Sequence, residues 1–147
     1  MKTIVLLTAL LAHHVHPTTH DIADAIDEVC AGDATCQLDA VATCYRESRC
    51  RMHLCERSGC GPYQQLARYA HETPGDYNER REILANDALA ATRQWHATRE
   101  RYRERHGNDW IGRYCGRREF CVGYVARWEK TRAWAKVERA KLKEKAK

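Results

Sequence analysis

The chain is short of several things that would otherwise suggest a fold. It has one Phe among 147 residues, so a core must be built from Leu, Ile, Val, Ala, four Trp and seven Tyr. No stretch of apolar–polar alternation exceeds a few residues, which excludes a protein built mainly of strands. No internal repeat is visible, which excludes a solenoid or propeller. No apolar run reaches the ~20 residues that a helix needs to cross a bilayer, so no stable membrane span is expected. Paired C-x2-4-C knuckles of the zinc-binding kind are missing as well. Only Cys55-x4-Cys60 comes near that spacing, so no metal and no other cofactor is expected.

What is present begins at the N-terminus. Lys2 precedes the short apolar run Thr3 to Ala12, and His13, His14, His16, Pro17 and His20 follow it. That is the layout of a secretory leader. Residues 1–19 are therefore assigned to it, with the cleavage point open, and residues 20–147 to a single domain. An anchor that is not removed is the alternative. The polar cluster ends the run too early for a buried helix to be the preferred reading. Eight Cys, at 30, 36, 44, 50, 55, 60, 115 and 121, suit a disulfide framework in an oxidising compartment, secreted or periplasmic. Eight Cys allow 105 connectivities. Pairing of neighbours (30–36, 44–50, 55–60, 115–121) is one of them, and Cys115 with Cys121 is the pair best isolated in sequence.

The rest reads as helix. Ile22, Ala25, Ile26 and Val29 form one apolar stripe over 21–29, and Gly32-Asp33 breaks it. A second helix is expected over 35–48 with Leu38, Val41, Ala42 and Tyr45 inward. Residues 50–62 form a loop with room for a brief hairpin, and helix resumes over 63–71. Pro74-Gly75-Asp76 turns the chain into one long helix over 78–106, stopped by Gly107-Asn108. A short helix over 110–114, a tight 115–121 loop and a basic terminal helix complete the chain. The class is mainly α, one domain stapled by disulfides. The net charge of +5 sits mostly in the tail, where basic residues outnumber Glu129, Glu138 and Glu144. It suits a polyanionic partner without choosing one. Arg99, Arg101, Arg103 and Arg105 alternate with Glu100 and Glu104, as on a solvated, salt-bridged face. Nucleic-acid binding is therefore not expected.

Three segments carry candidate chemistry. An apolar helix ends in Glu47-Ser48, where a carboxyl can be desolvated from behind yet face a cleft, as a general acid requires. Ser58-Gly59-Cys60-Gly61-Pro62-Tyr63-Gln64 offers close backbone approach, an aromatic ring and an amide suited to sugars. Gly107-Asn108-Asp109-Trp110 leads into Arg113-Tyr114-Cys115-Gly116. Arg46 and Arg49 flank Glu47 in sequence but need not point at it.

In order and spacing these segments resemble the soluble lytic transglycosylases and their relatives among the goose-type lysozymes. Glu47-Ser48 looks like that family's Glu-Ser helix end. Gly61-Pro62-Tyr63-Gln64 looks like its Gly-Leu-Met-Gln, with Gln64 lying 17 positions beyond Glu47. Residues 86–106 are similar to its long helix, Arg113-Tyr114-Cys115-Gly116 to its Ala-Tyr-Asn-x-Gly, and Tyr124-Val125 to the Tyr-Val that often follows. The likeness covers about residues 35–130. The chain departs from the pattern at Cys115, which replaces the Asn, and at Tyr63, which replaces the Met. Gln65-Leu66-Ala67-Arg68 stands where the family has a Met-Pro-Ser-Thr-like run.

The resemblance implies a lysozyme-like fold and cleavage of peptidoglycan glycan strands between N-acetylmuramic acid and N-acetylglucosamine, by a monomer. Glu47 would be the single catalytic acid/base. Ser48 would hold Glu47 or substrate, Gln64 and Tyr114 would line the cleft, and Tyr63 would stack on a sugar. Asp76 and Asp109 are the available second carboxylates, though turn or cap roles suit them better. The alternatives are a hydrolytic lysozyme acting on the same bond and an inactive module that only binds cell walls.

Overall fold

The computed structural model describes residues 1–12, 14–116 and 118–147. His13 of the histidine cluster and Arg117 of the 115–121 loop lie outside them. Seven α-helices span Thr3–Leu10 (α1), Thr19–Cys30 (α2), Ala34–Ser48 (α3), Tyr77–Asn86 (α4), Ala88–His106 (α5), Trp110–Cys115 (α6) and Arg118–Lys145 (α7). Three two-residue strands lie between α3 and α4. They are Cys55–Glu56 (β1), Gly59–Cys60 (β2) and Gln65–Leu66 (β3), paired antiparallel in the order β1-β2-β3.

Helix α3 is the axle. Asp33 caps it, its carboxylate accepting from the backbone N–H groups of Thr35 and Cys36 at 2.9 and 3.1 Å. Every residue from Cys36 to Cys44 is buried, the mark of a helix enclosed on all sides. It packs against α2 and α7. The polar members of this stretch are matched rather than exposed. Asp39 meets two guanidiniums: Arg99 Nε of α5 donates to its Oδ2 at 2.8 Å, and Arg132 Nε of α7 donates to its Oδ1. Thr43 Oγ1 accepts from Trp128 Nε1 at 3.0 Å. One buried ion cluster thus ties α3, α5 and α7 together.

The basic terminal helix is therefore structural on one side. Trp128, Thr131 and Ala135 of α7 are buried, while Trp134 sits edge-on to Tyr45 with its centroid 5.9 Å away.

Residues 3–10, assigned to the leader, form α1, which packs against α2, α3 and α7 with Leu6 and Leu7 fully buried. The amide of its first residue is satisfied by α2. Thr3 N–H and Oγ1–H both donate to the Asp27 carboxylate, and Gln37 Nε2 donates to Thr3 Oγ1 at 2.9 Å. Eight residues suffice for a buried helix here because its first turn is capped from outside. No helix among the described residues is long and apolar enough to cross a membrane.

All eight Cys are paired with their sequence neighbours: 30–36, 44–50, 55–60 and 115–121. Each closes a short loop at a helix end or across the small sheet. Pairing leaves Cys55 and Cys60 no thiolate with which to hold zinc.

Two expected elements are corrected. Residues 63–71 are not a helix. Gln64 takes a left-handed φ of 46°, Gln65–Leu66 pair with Gly59–Cys60, and Ala67–Tyr69 form a single 3-10 turn. The long helix over 78–106 is two helices. Asp87 breaks it with extended backbone (φ −117°, ψ 102°), and its side chain caps α5 by accepting from Ala90 N–H at 2.9 Å. Asp is a better cap than helix interior, and that preference prevails. Asp76 opens α4 through a reciprocal box with Glu79, whose backbone N–H donates to the Asp76 carboxylate.

Candidate functional site

Glu47 lies in the last turn of α3, half-buried, just before Arg49 closes the helix in left-handed backbone. The chain then turns through the Cys44–Cys50 bridge into the small sheet, which folds back beside the helix end. Gly61 makes that return possible. At φ +79°, a Cβ there would stand 1.8 Å from Leu84 O, so no other residue fits without moving α4.

A groove of about 350 Å³ opens at this junction. It is lined by Glu47, Gln64, Gln65, Leu66, Tyr69, Ala70, Thr98, Tyr102, Tyr114, Cys115 and Tyr124. Four of the chain's seven Tyr are among them. No Lys or Arg is, among the described residues, although the chain carries +5.

Two of the expected companions of Glu47 are at its side. Tyr114 is held over the groove by donating its hydroxyl to the Tyr63 carbonyl at 2.8 Å. Gln64 lines the groove but is braced: its Nε2 donates to Leu54 O and Gly61 O, and its Oε1 accepts from Glu56 N–H. The other two are placed elsewhere. Ser48 is buried, its Oγ donating to Pro62 O at 2.8 Å and accepting from Arg51 N–H at 3.1 Å. It pins the helix end to the Gly61-Pro62 turn and so sets where Glu47 stands. Tyr63 does not stack on a sugar, because its ring is fully buried. It lies parallel to Trp95 with centroids 5.3 Å apart, and its hydroxyl meets Thr92 Oγ1 at 2.9 Å. Its side chain therefore reaches into the core rather than out into the groove.

Tyr124 is the partner that the sequence did not single out. Its hydroxyl, on the second turn of α7, donates to Glu47 Oε1 at 2.7 Å. Its only signal was its place in the Tyr-Val pair. Leu66, Tyr69 and Tyr102 were missed for a different reason. The first two fall in the segment expected to be helical, and Tyr102 fits the inward stripe of a long helix.

The surroundings of Glu47 raise its affinity for a proton. Burial pushes its carboxyl above the ordinary value. The Tyr124 hydroxyl draws it back, and the Glu56 charge raises it again. Arg46 and Arg49 do not oppose this: Arg46 Nε donates to Arg127 O, and the Arg49 guanidinium lies over the Tyr45 ring at 4.2 Å. Tyr114 and Tyr124 are both raised, by burial first and by the Glu47 charge next, so both phenols stay protonated and remain donors. Glu47 is the one carboxylate among the described lining residues. Asp76 caps α4, and Asp109 lines a separate hollow with His106 and Arg113. No cluster of three or more His, Cys, Asp or Glu among the described residues could hold a metal ion.

Against this geometry, no family model, curated protein or solved structure matches the chain.

Proposed function

We propose that the chain is a glycan-cleaving enzyme of the lysozyme-like kind, a lytic transglycosylase acting on peptidoglycan outside the cytoplasm. The observation that carries this is Glu47, its pKa raised by burial, facing a Tyr-lined groove with a phenol 2.7 Å from its carboxyl. Protonated Glu47 donates to the glycosidic oxygen between N-acetylmuramic acid and N-acetylglucosamine as that bond breaks. The positive charge that develops on the sugar is met by the substrate's own acetamido group, so a second carboxylate is not required. Glu47, now an anion stabilised by the Tyr124 hydroxyl, takes the proton from the sugar's C6 hydroxyl. That oxygen closes on C1, giving a 1,6-anhydro product.

The four disulfides support action in an oxidising compartment. The test is mass spectrometry of muropeptides after digestion of purified cell walls. Products lighter by one water than hydrolytic ones are expected, and none at all with Glu47→Gln. Intact walls after treatment with the folded wild type would refute the reading.

One observation favours hydrolysis instead. Glu56, on β1, is near enough for its charge to act on Glu47, and a second carboxylate near the acid could orient water. Under that reading the products keep the full mass, and Glu56→Gln abolishes their formation. Under the transglycosylase reading Glu56→Gln still yields anhydro products.

A further inference from the structure

The groove's lining comes from two sources. Glu47, Tyr114 and Tyr124 belong to α3, α6 and α7, while Leu66, Tyr69 and Ala70 come from the end of β3 and the 3-10 turn behind it. The second source departs most from the lytic transglycosylase pattern, since Gln65-Leu66-Ala67-Arg68 replaces that family's run. It also leaves apolar side chains open beside the acid. Leu66 is 38% exposed and Tyr69 51% exposed. Single exposed apolar residues are ordinary on a protein surface. Two of them from one four-residue segment, lining the same hollow as a raised carboxyl, call for an occupant. The Arg68 guanidinium lies over the Tyr69 ring at 4.8 Å, but Arg68 is not among the residues lining the groove.

Taking the groove as a glycan site, we infer that Leu66 and Tyr69 form this chain's own sugar-binding flank. It holds an uncharged N-acetylated hexosamine ring beside Glu47, with the ring's C–H face on Tyr69. A pyranose presents one face of C–H groups, which an open aromatic ring can cover, and its hydroxyls remain free for the groove's Tyr and Thr98.

The flank is tested on Glu47→Gln protein, which binds without cleaving. Titration calorimetry with the β-1,4-linked hexamer of N-acetylglucosamine is the readout. Adding Tyr69→Ala should weaken binding about tenfold, the order expected for one stacking ring. Tyr69→Phe should stay within about threefold, because the ring and not the hydroxyl makes the contact. Both should melt with their parent, since Tyr69 is half in solvent. If Tyr69→Ala binds the hexamer as its parent does, the flank is overturned and the catalytic reading stands. If the parent itself binds no hexamer, the glycan reading falls too.

Discussion

Asp39 and Glu47 stand about two turns apart on the same helix, the first buried and the second half-buried, and they have opposite surroundings. Asp39 faces the middle of the molecule, where Arg99 of α5 and Arg132 of α7 converge on it, and it is 3% exposed. Glu47 faces the groove, where it receives one phenol and, among the described residues, no cation. Burial of a carboxyl alone therefore does not make a reactive site. Where guanidiniums converge, the carboxylate becomes a fastener. Where burial dominates and the partner is a neutral phenol, the carboxyl's pKa is raised, as the proposed acid requires.

The sharpest way to break this contrast is Glu47→Gln. Loss of wall cleavage by roughly 10²–10⁴ is expected, the range for removing a general acid. The amide keeps the shape and the Tyr124 contact, so the fold should survive. The raised carboxyl also fixes a sign. A group whose pKa is higher in the folded state gives its full stabilisation below its unfolded pKa and loses it as pH rises through the folded value. Glu47→Gln should therefore gain stability relative to wild type on the alkaline side, in melting curves recorded against pH. Equal melting of the two proteins across that range would show that Glu47 is not desolvated.

Asp39→Asn should do the reverse. It takes from Arg132 the carboxylate it pairs with and leaves Arg99, only 1% exposed, with the half-exposed Glu100 as its remaining counter-charge. Breaking a buried pair from one side costs about 3–5 kcal/mol, readable in denaturant unfolding. Activity per folded molecule should be retained, because the cluster does not touch the groove. Lost activity with unchanged stability would reverse the roles assigned to these two acids.

Smaller effects should appear in the alkaline limb of the pH–activity profile, where Glu47 gives up its proton. Tyr124→Phe removes the hydroxyl that lowers the Glu47 pKa, so that limb should move to higher pH. Glu56→Gln removes a charge that raises it, so the limb should move to lower pH. Opposite displacements are the signature. Movement in one direction for both variants would mean that the limb reports some other group.

Much of this contrast was legible before the fold. The apolar stripe of α2, the helix ending at Glu47-Ser48 and the spacing to Gln64 are local patterns, and local patterns survive into the structure. The neighbour pairing of the Cys was one possibility among many, and only the fold selects it. The companions of Glu47 were harder to read, because a hydroxyl 77 positions away meets it only once α7 has packed along α3. The 63–71 segment misled because helical spacing and a short strand followed by a 3-10 turn look alike over nine residues. What decides between them is Gln64's left-handed backbone and the fixed approach of Gly61 to Leu84, both tertiary facts. Asp87 was visible as a cap residue, but the apolar rhythm running past it concealed the break.

The smallest effect concerns Tyr63, whose sequence placed it among the sugar-binding residues. Tyr63→Phe keeps the ring against Trp95 and removes only the contact to Thr92 Oγ1. Thr92 is fully buried, so its hydroxyl is left without that partner, and a loss of about 1–2 kcal/mol is expected. Adding Thr92→Val should recover most of it, because removing both partners of a buried hydrogen bond costs far less than removing one. Cleavage should be unchanged in all three proteins. The reason lies in the backbone: Tyr114 is anchored by the Tyr63 carbonyl, which neither substitution alters. A fall in cleavage with stability intact would bring the Tyr63 hydroxyl back into the site. Stability lost by Tyr63→Phe and regained with Thr92→Val, at constant activity, would leave Tyr63 where the packing puts it, as part of the core that carries Tyr114 and not as part of the groove.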